Sequence, residues 1–192
     1  MRIVGGRLKG RALAPVGSGD AAAHLRPTAD RVRESIFNKL MHGDFPPLED
    51  ARVLDLFAGT GALGLEALSR GAKRVLFVDD GTKARALIRD NIDRCNAIGA
   101  TKLYRRDATR LGPNRGDPYN LVFLDPPYGK ALGDAALASA LAGGWLADQT
   151  VVVWEDAKPA PPQTGFVVLE SVQYGDTAVT FLGTDYPAGT DA

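Results

Sequence analysis

Asp125-Pro126-Pro127-Tyr128 follows directly on the apolar run Leu121-Val122-Phe123-Leu124. The spacing predicts a strand that ends in a carboxylate and then in two prolines, each with φ fixed near −65° and no N–H. An aromatic ring comes next. The string offers an acceptor side chain, a free carbonyl on Pro126 and a flat stacking surface, all on one stiff bend. Those groups suit an exocyclic amino group on a planar base. Four residues alone are equally an ordinary exit from a strand, so the weight falls on what accompanies them.

A second motif runs Val53-Leu54-Asp55-Leu56-Phe57-Ala58-Gly59-Thr60-Gly61-Ala62-Leu63-Gly64-Leu65-Glu66-Ala67-Leu68. It begins as a buried strand and ends with apolar residues at helical spacing. Between the two lies a glycine turn, where missing Cβ atoms let a ligand approach the backbone. Gly59, Gly61 and Gly64 satisfy G-x-G-x-x-G, and Asp79 stands about 20 residues on, where a ribose-binding acid falls in dinucleotide folds. These features admit either a nicotinamide-type cofactor or another adenosine ligand. Asp55 separates them. A carboxylate at the strand end repels a pyrophosphate and attracts a ligand carrying an ammonium and a sulfonium. S-adenosylmethionine carries both.

The elements that must position these residues follow the alternation strand, helix, strand. Strands are predicted near 52–57, 74–79, 102–106, 119–125 and 150–155, and helices near 62–70, 82–97 and 131–142. That rhythm predicts an α/β fold with a mostly parallel sheet and helices on both faces. Two further apolar runs, Phe166–Val172 and Thr177–Leu182, flank Tyr174-Gly175-Asp176 and predict a C-terminal antiparallel hairpin at the sheet edge. Ahead of the core, residues 1–15 read as a small hairpin and 16–25 as a mobile loop. Thr28 is the expected N-cap of a helix reaching about Met41, with Val32, Ile36 and Leu40 on its apolar face and Arg31, Arg33 and Lys39 on others. The resulting division is a basic N-terminal extension at 1–45, a cofactor-binding core at 46–184 and a disordered tail at 185–192.

In such a sheet ligands bind beyond the carboxyl ends of the strands. Asp55, Asp79, Asp107 and Asp125 each fall at the end of a different predicted strand and are expected on one rim.

The 192-residue chain has 45% hydrophobic residues and no formal net charge, which fits a globular domain and excludes a wholesale nucleic-acid binder. The charge is unevenly spread. Residues 1–40 hold eight Lys/Arg against three Asp/Glu, a basic front on an acidic body. Arg7, Lys9, Arg11, Arg26, Arg31 and Arg33 are therefore candidate phosphate contacts. No apolar stretch approaches the ~20 residues of a membrane span, and no signal-peptide core is present. With Cys95 as the lone cysteine, no disulfide and no zinc-type cluster is expected, and a reducing cytoplasm fits.

The chain resembles the Rossmann-like class I S-adenosylmethionine-dependent methyltransferases. Among them it is similar to the bacterial enzymes that methylate N2 of a guanine in 16S ribosomal RNA. Beyond the two motifs, the resemblance rests on Gly5-Gly6-Arg7-Leu8-Lys9-Gly10-Arg11, on the stretch Leu25-Arg26-Pro27-Thr28 through Asn38, on Gly64 through Ala72, and on Gly144-Trp145-Leu146. The segment Arg26 to Asn38 is the most specific part. One departure is Asp79-Asp80, where similar enzymes usually place a glutamate at the strand end.

The resemblance implies S-adenosylmethionine as cofactor, held by Asp55, Phe57, Ala58, Gly59, Gly61, Asp79 or Asp80, Asp107 and Ala108. It implies Asp125, Pro126, Pro127 and Tyr128 as the catalytic group, and 16S rRNA, within a small-subunit particle or assembly intermediate, as the partner. No metal, no membrane and a monomer in the cytoplasm are expected. Asp-Pro-Pro-Tyr does not by itself distinguish guanine from adenine, so a DNA adenine-N6 methyltransferase is the nearest rival. A non-catalytic RNA-binding module that keeps the fold is the alternative from another class.

Overall fold

A computed structural model describes residues 1–17, 28–127 and 131–184. Seven strands form one sheet: β1 (Arg52–Leu56), β2 (Arg74–Val78), β3 (Thr101–Tyr104), β4 (Tyr119–Leu124), β5 (Leu146–Asp156), β6 (Phe166–Tyr174) and β7 (Thr177–Thr184). Their order is β3-β2-β1-β4-β5-β7-β6. The first five are parallel, and β7 pairs antiparallel with both β5 and β6. The C-terminal hairpin thus enters the sheet by its second strand, leaving β6 at the edge.

The apolar runs of β1, β2, β4 and β5 are covered on both faces, as continuous rather than alternating hydrophobicity requires. One face packs under α1 (Asp30–His42), α2 (Ala62–Ser69) and α3 (Thr82–Arg94), with Val53, Val75, Phe77, Phe123 and Val153 in a single buried cluster. The other packs α4 (Leu132–Ala142) and the turn at Ala108–Arg110 against Leu54, Leu56, Val122, Leu124 and Trp154. Every residue of α2 is buried. Phe37 of α1 meets Phe123 at 5.5 Å between ring centroids, which fastens that helix to the sheet.

The N-terminal hairpin is narrow. It is closed by the Arg2↔Ala12 bridge and by the bonds Ile3 N to Arg11 O and Gly10 N to Ile3 O. It docks on α2, where Val4 N donates to Glu66 Oε2 at 2.9 Å and Leu8 N to Ser69 Oγ at 2.9 Å. Ile3 is fully buried in the same cluster as Val53 and Phe37. Burying a side chain of that size contributes about 1.5–3 kcal/mol.

Several boundaries differ from expectation. α3 ends at Arg94, with Cys95 as its buried C-cap. β5 starts at Leu146 rather than 150, since a register shift lets Tyr119 pair with Leu146 before Leu121 meets Val151. Thr28 does not cap α1. Ala29 is the N-cap and, with only a methyl, makes no side-chain cap bond, while the Thr28 hydroxyl is committed to Glu155 Oε2 at 2.9 Å. Most of the loop expected at 16–25, and the tail at 185–192, lie outside the described residues. Among the described residues no helix is long and apolar enough to cross a membrane.

Candidate active site

The parallel register lines up the carboxyl ends of β2, β1, β4 and β5. The last pairs are Val78↔Leu56, Leu56↔Leu124 and Leu124↔Trp154. One step beyond them come Asp79, Asp125 and Glu155. Strand alternation puts all three on the face that holds Phe77, Phe123 and Val153. Asp55 lies one pleat deeper, level with Phe77 and Phe123, and is 2% exposed. Four acids from four strands therefore share one face of the rim.

Their electrostatics follow from that crowding. Burial raises the Asp55 carboxyl well above the usual carboxylate range, the Gly64 N–H opposes the rise and Asp79 adds to it. Burial likewise raises Asp125 well above that range, with Glu155, Asp55 and Asp156 adding repulsion. Asp79 and Glu155 are raised chiefly by burial too. Among the described residues, no Lys or Arg lies within salt-bridge distance of any of the four. Such a row is suited to receive positive charge from a ligand.

The glycine turn is folded over this row. Phe57, Gly59 and Gly61 all have left-handed φ values, at 56°, 57° and 74°. Gly59 N donates to Asp79 Oδ2 at 2.9 Å, and Gly81 N to Asp79 Oδ1 at 2.8 Å. Gly64 N donates to Asp55 Oδ2 at 3.0 Å. A Cβ on Gly64 would sit 2.5 Å from Phe77 and 2.7 Å from Val75, so the motif's third glycine serves the approach of α2 to the sheet. Each carboxylate oxygen keeps a lone pair for a ligand after these bonds. The set fits an adenosine ligand with a cationic tail: acceptors for hydroxyls at the turn, and carboxylates without paired cations for the charge.

Asp79 rather than Asp80 occupies the turn; Asp80 is exposed to solvent. Asp107 is not at a strand end. β3 stops at Tyr104, and Asp107 caps the following turn, accepting from Thr109 N at 2.9 Å and Thr109 Oγ1 at 2.7 Å. Those bonds, the hydroxyl's foremost, lower its carboxyl below the ordinary value. Ala108 is buried beside it. Asp125, Pro126 and Pro127 follow β4 directly, while Tyr128 lies outside the described residues, as does Arg26.

The basic residues divide. Arg7, Lys9 and Arg11 are exposed on the hairpin and, with Arg94 of α3, line an open concavity of about 580 Å³. Arg31 is exposed on α1. Arg33 is not a surface cation, which corrects its assignment as a phosphate contact. Its guanidinium is fully buried, pairs with Asp30 at 2.8 Å and Glu66 at 3.5 Å, and donates to the carbonyls of Thr28 and Arg2. The apolar spacing of Val32, Ile36 and Leu40 misplaces it, since the buried face of α1 is Arg33, Ile36, Phe37 and Leu40.

Glu155 stands on this rim beside Asp125 and is a candidate that sequence reasoning missed. Its signal was a carboxylate directly after Val151-Val152-Val153-Trp154, the same pattern that exposed Asp125. Among the described residues no group of three or more His, Cys, Asp or Glu is arranged to hold a metal ion.

Comparison with known proteins agrees with this arrangement. The family described as Conserved hypothetical protein 95 matches residues 1–183. Ribosomal RNA small subunit methyltransferase D of Escherichia coli strain K12 is 40% identical over 156 residues, covering 81% of this chain and 74% of the relative. The protein of the same name from Haemophilus influenzae is 36% identical over 165 residues, covering 84% and 81%. The solved structure of the yhhF protein of Escherichia coli has a TM-score of 0.79 at 31% identity and covers 96% of this chain and 98% of that one. With its sheet order and glycine turn, the chain belongs to the family of the small-subunit ribosomal RNA methyltransferases D.

Proposed function

We propose that this protein methylates the exocyclic N2 of a guanine in 16S ribosomal RNA, with S-adenosylmethionine as the methyl donor. The observation that carries the reading is Asp125. It is a carboxylate stiffened by two prolines, beside the glycine turn, in a chain whose relatives are named small-subunit ribosomal RNA methyltransferases. The cofactor, when bound, supplies an electrophilic methyl group on a sulfonium.

The residues that would hold it are those of the turn and the rim. Asp55 with Phe57, Ala58, Gly59 and Gly61 serves the cationic methionine end, and Asp79 serves the ribose hydroxyls. Asp107 and the Ala108 backbone serve the adenine amino group. The target guanine leaves its stack at a cost of a few kcal/mol. Tyr128 returns stacking of about 1–3 kcal/mol.

The N2 lone pair is delocalised into the ring and is a poor nucleophile. Asp125 and the Pro126 carbonyl accept its two hydrogens, which favours a pyramidal nitrogen with the lone pair directed at the methyl. Proximity supplies much of the rate. Once methylated, the nitrogen is acidic and loses its extra proton without a strong base.

Arg7, Lys9, Arg11 and Arg31 contact RNA phosphates. Single-stranded or splayed RNA is the target, because an A-form helix hides its base edges. The same reading puts the protein in the cytoplasm as a monomer, acting on 16S rRNA within a small-subunit particle. Its lone cysteine fits a reducing compartment.

The test is Asp125→Ala. Methyl transfer falls by at least about 100-fold, while S-adenosylmethionine affinity stays nearly intact. Loss of both together contradicts the role given to Asp125.

A further inference from the structure

Asp-Pro-Pro-Tyr presents acceptors to an amino group and is indifferent to which base carries it. Something else must distinguish guanine from adenine. The edge that carries guanine N2 presents a row of donors, N1–H and N2–H₂. The corresponding edge of adenine presents the N6 amino donors next to N1, a lone-pair acceptor.

We infer that Glu155 is the specificity-determining residue of this site, accepting guanine N1–H while Asp125 and the Pro126 carbonyl take the N2 hydrogens. The inference rests on the guanine-N2 reading above.

The geometry supports it at three points. Leu124 pairs with Trp154, so Asp125 and Glu155 are the next residues on adjacent parallel strands. Adjacent strands lie about 4.8 Å apart. Both side chains belong to the sheet face of Phe123 and Val153, and the Glu155 charge raises the Asp125 carboxyl. Glu155 is 6% exposed and is held from one side: Thr28 Oγ1 donates to Oε2 at 2.9 Å. Among the described residues nothing donates to its Oε1.

Glu155 is tied to the segment before α1 through Thr28 and feels the charge of Arg33 on that helix. Burial pushes its carboxyl up, and the Thr28 hydroxyl and the Arg33 guanidinium push it back toward the ionised form. Among the described residues, the groups acting on it or acted on by it are Thr28, Arg33 from α1 and Asp125 just beyond β4. Arg33 is thereby accounted for as part of the support of Glu155 rather than as an RNA contact.

An ionised carboxylate has acceptors alone. Set against guanine N1–H it forms a charge-assisted bond. Set against adenine N1 it meets a lone pair and leaves two buried acceptors without donors, which is rejection by an unfavourable contact rather than by lack of a favourable one.

The experiment uses small-subunit particles reconstituted with 16S RNA carrying guanosine, 2-aminopurine ribonucleoside or adenosine at the target position. 2-Aminopurine keeps the N2 amino group but has a lone pair at N1. The intact enzyme methylates guanosine at least about 100-fold faster than 2-aminopurine, as a site built to receive a hydrogen discriminates. In Glu155→Gln the amide donates to N1, and the preference shrinks at least about tenfold even though the guanosine rate falls. S-adenosylmethionine affinity and melting temperature serve as controls on folding.

If Glu155→Gln slows both substrates alike and leaves the ratio unchanged, Glu155 is structural and the inference is overturned. Equal rates on guanosine and 2-aminopurine by the intact enzyme overturn it without any variant. Methylation of adenosine in place of guanosine overturns the guanine-N2 reading and this inference with it. Methylation of guanosine with an unchanged ratio overturns the inference alone.

Discussion

Asn91 ties the glycine turn to the N-terminal hairpin: its Nδ2 donates to the Thr60 carbonyl at 2.8 Å, while its Oδ1 accepts from Ala14 N at 2.7 Å. The side chain is completely buried in α3, so neither bond is shared with water. The element proposed to touch RNA and the element proposed to hold the cofactor therefore lean on one amide.

Asn91→Leu removes both bonds and leaves a buried N–H and a buried carbonyl unsatisfied. The expected loss of stability is about 1–3 kcal/mol per orphaned group. S-adenosylmethionine binding weakens as well, because the Thr60 carbonyl is in the turn. Denaturant unfolding and calorimetric titration check both; full stability with unchanged affinity contradicts the link.

Gly64→Ala tests the packing of α2. The added methyl has to displace Phe77 or Val75 and comes within 3.0 Å of Asp55 Oδ2. Overpacking of this kind costs about 1–3 kcal/mol. The melting temperature falls, and cofactor affinity falls with it because Asp55 shifts. An alanine tolerated on both counts would mean that the helix is free to move outward.

Arg33 and the hairpin cations separate by salt dependence. Removing the charges of Arg7, Lys9 and Arg11 together lowers the salt slope of RNA binding by about 2, at roughly 0.7 per phosphate for single strands. Arg33→Met leaves the slope as it was and instead lowers stability, by up to about 3 kcal/mol, because Glu66 and Asp30 lose a buried partner. A flattened slope in Arg33→Met would return that residue to the RNA surface.

The acidic rim makes a signed pH prediction. Asp55, Asp79, Asp125 and Glu155 all have raised carboxyls in the folded protein, mainly from burial. Unfolded values are about 3.9 for Asp and 4.3 for Glu. A raised folded value means that the folded state holds these protons more tightly. The stabilisation is complete below the unfolded values and is lost as pH rises through the folded ones. A cationic ligand reverses the sign: its binding expels protons, so the thermal stabilisation by S-adenosylmethionine grows as pH rises through the raised folded values. Melting curves with and without it check this, and a pH-independent shift contradicts it.

Much of the candidate site could be read before the structure because Asp79 and Asp125 each close an apolar run that must be a buried strand, and Asp55 stands one residue from the end of another. Glu155 closes such a run too. Its place beside Asp125 shows only in the register Leu124↔Trp154, on a strand that begins four residues earlier than expected, with Gln149 at φ 57°. Thr28 had the right chemistry for a cap, but its hydroxyl found an acceptor 127 residues away. Arg33 misled for a related reason. A helical wheel ranks an arginine as surface, and tertiary partners from three other places in the chain make its burial affordable.

Methyl transfer from labelled S-adenosylmethionine tests the central claim most directly. Small-subunit particles, free 16S RNA and duplex DNA, all from cells lacking the modification, are offered to the purified protein, and the labelled nucleosides are identified after digestion. The account predicts label in N2-methylguanosine from ribosomal RNA, with the particle as the better substrate. Label in N6-methyladenine from DNA, or none in ribosomal RNA, would contradict it.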